Sequence, residues 1–148
     1  MKIAIVSGKA EGPTKLNAFD NALYNAGIGD ANLIKVSSML EKNTEVVELP
    51  NIKAGKMVNC VLSHASSDKK DDIIFATVAV AIGDNLGCVV EKSGKNEDLD
   101  YVKSNVIAMV KYMMKIRNEK INVMIVEDLH HKVENIGSVI SSVVYIDE

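Results

Sequence analysis

"DIIFATVAVAIG", residues 72–83, is apolar on both of its alternating faces. In an extended chain Ile74, Ala76, Val78 and Val80 point one way, while Ile73, Phe75, Ala79 and Ala81 point the other. A strand buried on both sides lies between two layers. The neighbouring stretches fit that placement. "KMVNCVLSHAS" (56–66) and "LGCVVEKSG" (86–94) read as strands before and after it, with short connections that favour antiparallel pairing.

Working outward, "KIAIVSG" (2–8) reads as a short buried strand and "KAEGPTK" as a loop punctuated by Gly12 and Pro13. Leu16, Phe19, Leu23 and Ala26 recur at helical spacing across 16–27, and Gly27 closes that helix. "NLIKVS" (32–37) reads as a strand, and "TEVVEL" (44–49) as a short one before Pro50. Residues 96–120 form the clearest helix, with Leu99, Val102, Val106, Met109, Val110 and Met113 as its apolar stripe. Glu97, Asp98 and Asp100 fall at its start and Lys115, Arg117 and Lys120 near its end, which suits the helix dipole. "INVMIVED" and "GSVISSVVYID" close the chain as strands. Two helices and about seven strands, mostly without helical crossovers, predict an α+β fold of mixed, largely antiparallel sheets with the helices on the outer faces.

The chain has 148 residues, enough for one domain with a real core. It is 47% hydrophobic but only 4% aromatic, with no Trp, so Val, Ile, Leu, Ala and Met must fill that core. The net charge of −3 carries no basic stripe, which argues against a nucleic-acid partner. No apolar run approaches the ~20 residues of a membrane span. The first strand begins almost at Met1, so no signal peptide is expected. Cys60 and Cys88 read as buried free thiols, and the expected location is cytoplasmic.

Generic motifs are sparse. "SGKAEGPTK" is not a P-loop, and "GIGDAN" lacks the third dinucleotide glycine and precedes a strand. His130 and His131 read as solvated loop residues in preference to metal ligands, and His64 as a lone strand histidine, satisfied or exposed. On residues alone, Ser37-Ser38 is a strand end.

Three stretches read together change that. "EGPTKLNAFDNALYNAGIGDANLIKVSS" (11–38), "ATVAVAIGDNLGCVVEKSG" (76–94) and "VENIG" (133–137) resemble the archaeal-type pyruvoyl-dependent arginine decarboxylases. The resemblance implies a four-layer αββα sandwich assembled as a homotrimer, with a dimer of trimers left open. It also implies that the single domain 1–148 cuts itself between Ser37 and Ser38 into 1–37 and 38–148. Ser38 would attack the Ser37 carbonyl, and elimination and hydrolysis would turn it into a covalent pyruvoyl cofactor in place of pyridoxal phosphate or a metal. Asn32 matches the processing asparagine, a donor to the attacked carbonyl. Glu91 matches the proton donor; flanked by Val89 and Val90, it has the desolvated setting such an acid needs. Asp20 matches the guanidinium-binding aspartate, with Leu16, Gly29, Ala31 and Ser37 as further substrate contacts. The implied reaction converts L-arginine to agmatine and carbon dioxide in polyamine synthesis. A processed paralogue acting on another cationic amino acid, and an unprocessed, non-enzymatic trimer subunit, stay open as alternatives.

Overall fold

The computed structural model describes residues 1–146. Strand β1 (Lys2–Glu11) is followed by helix α1 (Lys15–Asn25), β2 (Asn32–Lys35), β3 (Met39–Leu40), β4 (Glu45–Val46), β5 (Met57–Ser67), β6 (Ile73–Ile82) and β7 (Gly87–Lys95). Helix α2 (Leu99–Ile116), β8 (Val123–Lys132) and β9 (Gly137–Ile146) complete the described chain.

The strands form two sheets, in the orders β2-β5-β9-β1-β4 and β3-β7-β6-β8. The second is antiparallel throughout. The first is mixed, because β2 joins β5 and β4 joins β1 in parallel. The doubly apolar strand is β6, and from Ile74 to Ile82 it is buried without interruption. Its Val78 and Val80 meet Ile3, Val61 and Val143 of the five-stranded sheet, while Ala79 and Ala81 meet Val106, Val110 and Met114 of α2. On the other side, Ala22 and Leu23 of α1 pack on Cys60, Leu62, Ile140 and Val144. The order is therefore α1, five-stranded sheet, four-stranded sheet, α2: the αββα sandwich expected. Two buried serines bridge its middle. Ser141 Oγ donates to the Ala76 carbonyl (2.8 Å), and Ser63 Oγ donates to the Lys92 carbonyl (2.8 Å) while accepting from the Thr77 N–H.

Local chemistry sets the helix limits. Thr14 caps α1, its Oγ1 accepting from the Asn17 N–H at 3.1 Å, and Gly27 beyond the end adopts φ +88°, which glycine tolerates best. Asp98 caps α2 by accepting from the N–H groups of Asp100 and Tyr101, so Glu97 precedes the helix and Lys120 lies past its end.

Several expectations need correction. Leu16, the first residue of the apolar repeat in α1, is 75% exposed. Here α1 rides close to β1 on small residues, Ala18 and Ala22, and a Cβ at Gly8 would come within 2.9 Å of the Ala26 Cβ. In α2 the buried line is Val102, Val106, Val110 and Met114; Met109 turns outward and Met113 is only half-buried. The first strand continues to Glu11, β4 keeps only two residues of its predicted six, and β3 was not foreseen. His130 and His131 lie on β8, not in a loop, drawn into register with Phe75 and Ile74 of β6. The His131 ring is half-buried, with Nε2 2.6 Å from a Glu11 carboxylate oxygen that also accepts the Glu134 N–H, while the other Glu11 oxygen accepts the Asn135 and Ile136 N–H groups of the β8–β9 turn. Cys60 and Cys88 are free and buried, as expected, and burial pushes both thiols up in pKa. Among the described residues no helix is long and apolar enough to cross a membrane.

Candidate active site

Strand β2 is an edge strand, and it stops at Lys35. The Val36 N–H still donates to the Cys60 carbonyl of β5 at 2.9 Å, in the five-stranded sheet. Two residues later the Val89 N–H of β7, in the four-stranded sheet, donates to the Ser38 carbonyl at 2.8 Å. The Ser37–Ser38 bond is thus where the chain crosses from one sheet to the other. The crossing is pinned further by the Tyr145 hydroxyl of β9, which donates to the Met39 carbonyl at 2.8 Å. Neither serine hydroxyl has a hydrogen-bond partner among the described residues.

Because β2 ends early, β5 becomes an edge beyond Val61, and a cavity of about 190 Å³ opens between the sheets there. Lys35, Ser63, His64, Glu91 and Lys92 line it. Glu91 follows Val89 by two positions on β7, so both side chains lie on the face toward the other sheet. Its carboxyl is reached by solvent at the cavity mouth, yet desolvation by the walls raises its pKa, with the Lys35 charge opposing. An acid so placed stays protonated to higher pH than a free glutamate.

The other predicted residues gather elsewhere. Leu16 and Asp20 stand four residues apart on the exposed side of α1, and Tyr24 continues the line. That line runs into a second cavity, about 260 Å³, lined by Tyr24, Gly27, Gly29, Asp30, Ala31 and the loop residues Pro50 to Ile52. Gly29 is forced by close packing: a Cβ there would lie 2.6 Å from the Tyr24 Cα. The Asp20 carboxylate has no ion pair or hydrogen bond among the described residues, so it is free to receive a cation. Asn32 belongs to this second group. Its Nδ2 donates to the Gly55 carbonyl at 3.0 Å, and at ~3.3 Å per strand residue it sits roughly 16 Å along the chain from Ser37.

One chain therefore brings Ser37, Ser38 and Glu91 together at the crossing, and Leu16, Asp20, Gly29, Ala31 and Asn32 together around α1. Lys35, His64, Ser63 and Tyr24 line these cavities without having been expected there. Nothing short-range in the sequence pointed to them; Lys35 and His64 meet only through the parallel pairing of β2 with β5.

The pyruvoyl-dependent arginine decarboxylase family profile matches residues 2–148. The chain is 58% identical over 147 residues to the pyruvoyl-dependent arginine decarboxylase of Methanothermobacter thermautotrophicus, covering 99% of this chain and 97% of that one. It is 35% identical to that of Methanocaldococcus jannaschii, covering 91% and 83% respectively. A solved structure of a pyruvoyl-dependent histidine decarboxylase at pH 8 shares the fold with a TM-score of 0.56 at 14% identity, over 66% of this chain and 54% of that one. With its sandwich, its serine pair at the crossing between the sheets and a profile match along nearly its whole length, the chain belongs to the pyruvoyl-dependent arginine decarboxylase family.

Proposed function

We propose that this chain cuts itself at Ser37–Ser38 and then decarboxylates L-arginine to agmatine, the entry to polyamine synthesis. The observation that carries this reading is the clamped crossing: Ser38 has an unengaged hydroxyl, a carbonyl held by the Val89 N–H, and Glu91 two residues further along the same strand.

Maturation uses the chain's own atoms. Ser38 Oγ attacks the Ser37 carbonyl carbon, the peptide C–N bond breaks, and the Ser38 nitrogen takes the proton, leaving an ester. Loss of the Ser38 Cα proton with cleavage of its Cβ–O bond frees residues 1–37 with a carboxylate end. Water then replaces the nitrogen as ammonia, and a pyruvoyl cap remains on 38–148. The crossing fits that group: the sheet pairing of β3 with β7 and the hydrogen bonds from Val89 and Tyr145 all hold the 38–148 side of the bond.

When formed, the pyruvoyl group supplies a ketone that captures the substrate amine and a neighbouring carbonyl that draws electrons as carbon dioxide leaves. The neighbouring carbonyl is that of Ser38, and the Val89 N–H is already aimed at its oxygen, where charge gathers. Glu91 holds the proton returned to the substrate carbon. Asp20 receives the guanidinium through two parallel hydrogen bonds, with Leu16 along the methylene stem. Gly29 and Ala31 shape the recognition cavity, and Ser37 contributes its new carboxyl end.

The separation of the two residue groups within a chain supports a homotrimer of cleaved protomers, in which the α1 group of one copy completes the crossing of the next. Asn32 then reaches a neighbour's Ser37 carbonyl, which its own chain holds away. We place the assembly in the cytoplasm, with no membrane or nucleic-acid partner.

The test is intact mass of the purified protein together with agmatine and carbon dioxide release from arginine, without added pyridoxal phosphate. Two fragments and equal amounts of both products are expected. An active preparation that stays one chain, or a cleaved one that makes no agmatine, overturns the proposal.

A further inference from the structure

The cavity beside Glu91 holds a polar pair that decarboxylation does not itself use. The Nζ of Lys35 lies 3.5 Å from Nε2 of His64 on β5. On its other side the His64 ring meets Phe19 of α1, with centroids 4.9 Å apart and planes inclined at 48°. Lys35 is also the cation whose field reaches Glu91, yet the two make no ion pair. A carboxylate is ordinarily the better partner for an ammonium group, and the lysine stem is long and flexible. Something holds the cation back.

His64 has the chemistry to do it. An imidazole accepts a hydrogen bond only when neutral, with its lone pair on the accepting nitrogen. Desolvation and the Lys35 charge both push the His64 pKa down, which keeps the ring neutral. The surroundings offer Lys35 little else. Glu91 shares its cavity with Lys35 of β2 and His64 of β5, the Cys60 thiol on the α1 side of β5 lies within electrostatic reach, and the register partner of Glu91 on β6 is the uncharged Val78. Lys92, next on β7, is occupied by Asn105 and Glu97 on the α2 side. The register partner of His64 on β9 is Ile140.

We propose that His64 is a positioning residue: by accepting a hydrogen bond from the Lys35 ammonium group, it keeps that cation from pairing with Glu91 and so leaves Glu91 able to hold its proton. This rests on the reading of Glu91 as proton donor.

The experiment is a carboxyl-carbon NMR titration of Glu91 in the processed protein without substrate, assigned by Glu91→Gln, beside the pH profile of kcat. In His64→Leu the freed Lys35 pairs with Glu91. The Glu91 midpoint and the alkaline limb of kcat both move to lower pH, and carbon dioxide release above the parent midpoint falls by up to about fivefold, the worth of a partly exposed ion pair. His64→Gln, which still offers an acceptor, keeps the parent midpoint. In a Lys35→Met background, His64→Leu lowers nothing. An unmoved midpoint in His64→Leu, the same drop in His64→Gln, or a drop that persists without Lys35 overturns the proposal. A parent enzyme that releases no carbon dioxide from arginine would instead sink the functional reading, while the substrate-free titration still judges His64.

Discussion

The two regions that carry acids assigned to the reaction are built in opposite ways. Glu91 stands on a central strand, between two sheets, in a cavity opened by the early end of β2. Asp20 stands on the outer side of α1, one helical turn before Tyr24, which lines a cavity made from a helix end and a loop. The first acid is desolvated and its pKa rises; the second lies in water with no partner among the described residues. The difference suits the tasks proposed for them. An acid that must keep a proton near neutral pH needs low-dielectric walls, whereas one that must meet a guanidinium needs to stay charged and reachable. Strands supply the walls, and a helix face supplies the reach.

The largest expected effect tests the crossing itself. Ser38→Ala removes the attacking hydroxyl, so the protein should remain a single chain of 148 residues by intact mass. The parent should instead give 1–37 and 38–148, the latter of 148 − 37 = 111 residues. A variant that still splits at that bond would place the nucleophile elsewhere and remove the crossing from one side of the comparison.

Next comes Glu91→Gln, which keeps size and hydrogen-bond reach but has no carboxyl proton. General acids contribute roughly 10²–10⁴-fold, so carbon dioxide release should fall by that order while self-cleavage continues. The sign of the pH dependence follows from the raised pKa: the protonated form works, so the parent rate should decline as pH rises through that value, and the variant should lack this limb. Normal turnover by Glu91→Gln would end its assignment as the acid.

Asp20→Asn probes the open side and should cost less. Losing a charge-assisted contact costs about 1.5–3 kcal/mol, which predicts a tenfold to more than hundredfold lower kcat/KM for arginine with processing intact. A loss of cleavage in this variant would show that Asp20 serves maturation as well as recognition.

The smallest effect is a control remote from both assignments. Asp72 accepts hydrogen bonds from the Ser67 hydroxyl (2.6 Å) and Asn96 and pairs with Lys95, which together lower its pKa from 3.8 to about 2. A lowered carboxylate pKa stabilises the fold above the unfolded value and loses that support as pH falls toward about 2. Asp72→Asn should flatten this part of the acid unfolding curve without shifting the pH profile of kcat. A shifted profile would mean that charge at this end of the sandwich reaches Glu91.

The contrast between the regions also explains what could be read early. Residues 72–83 declared a strand buried on both faces because their apolar side chains fill both pleat faces, a local property. The α2 stripe was legible for the same reason, apart from its edge, where Met109 and Met114 exchange places once the helix settles on β6 and β7. Leu16 belongs to the apolar repeat yet stays exposed, because periodicity reports which residues are apolar, not which side of a helix can approach a sheet; the alanines and Gly8 decided that. The strand that takes in His130 and His131 carries no apolar signal at its end, and only pairing with β6 makes it one.

The sequence by itself determined the layered α+β plan, the two helices, the buried thiols and, through its motif order, the family within which the serine pair, Asn32, Asp20 and Glu91 are the proposed site. These rest on composition, periodicity and short spacings, which survive in a linear reading. Tertiary structure alone decided that the Ser37–Ser38 bond spans two sheets, that Val89 and Tyr145 hold its far side, and that Lys35 rests on His64 beside Glu91. Each joins residues far apart in the chain through strand register, and register is fixed by the packing of whole faces against one another, not by the residues that meet as a result.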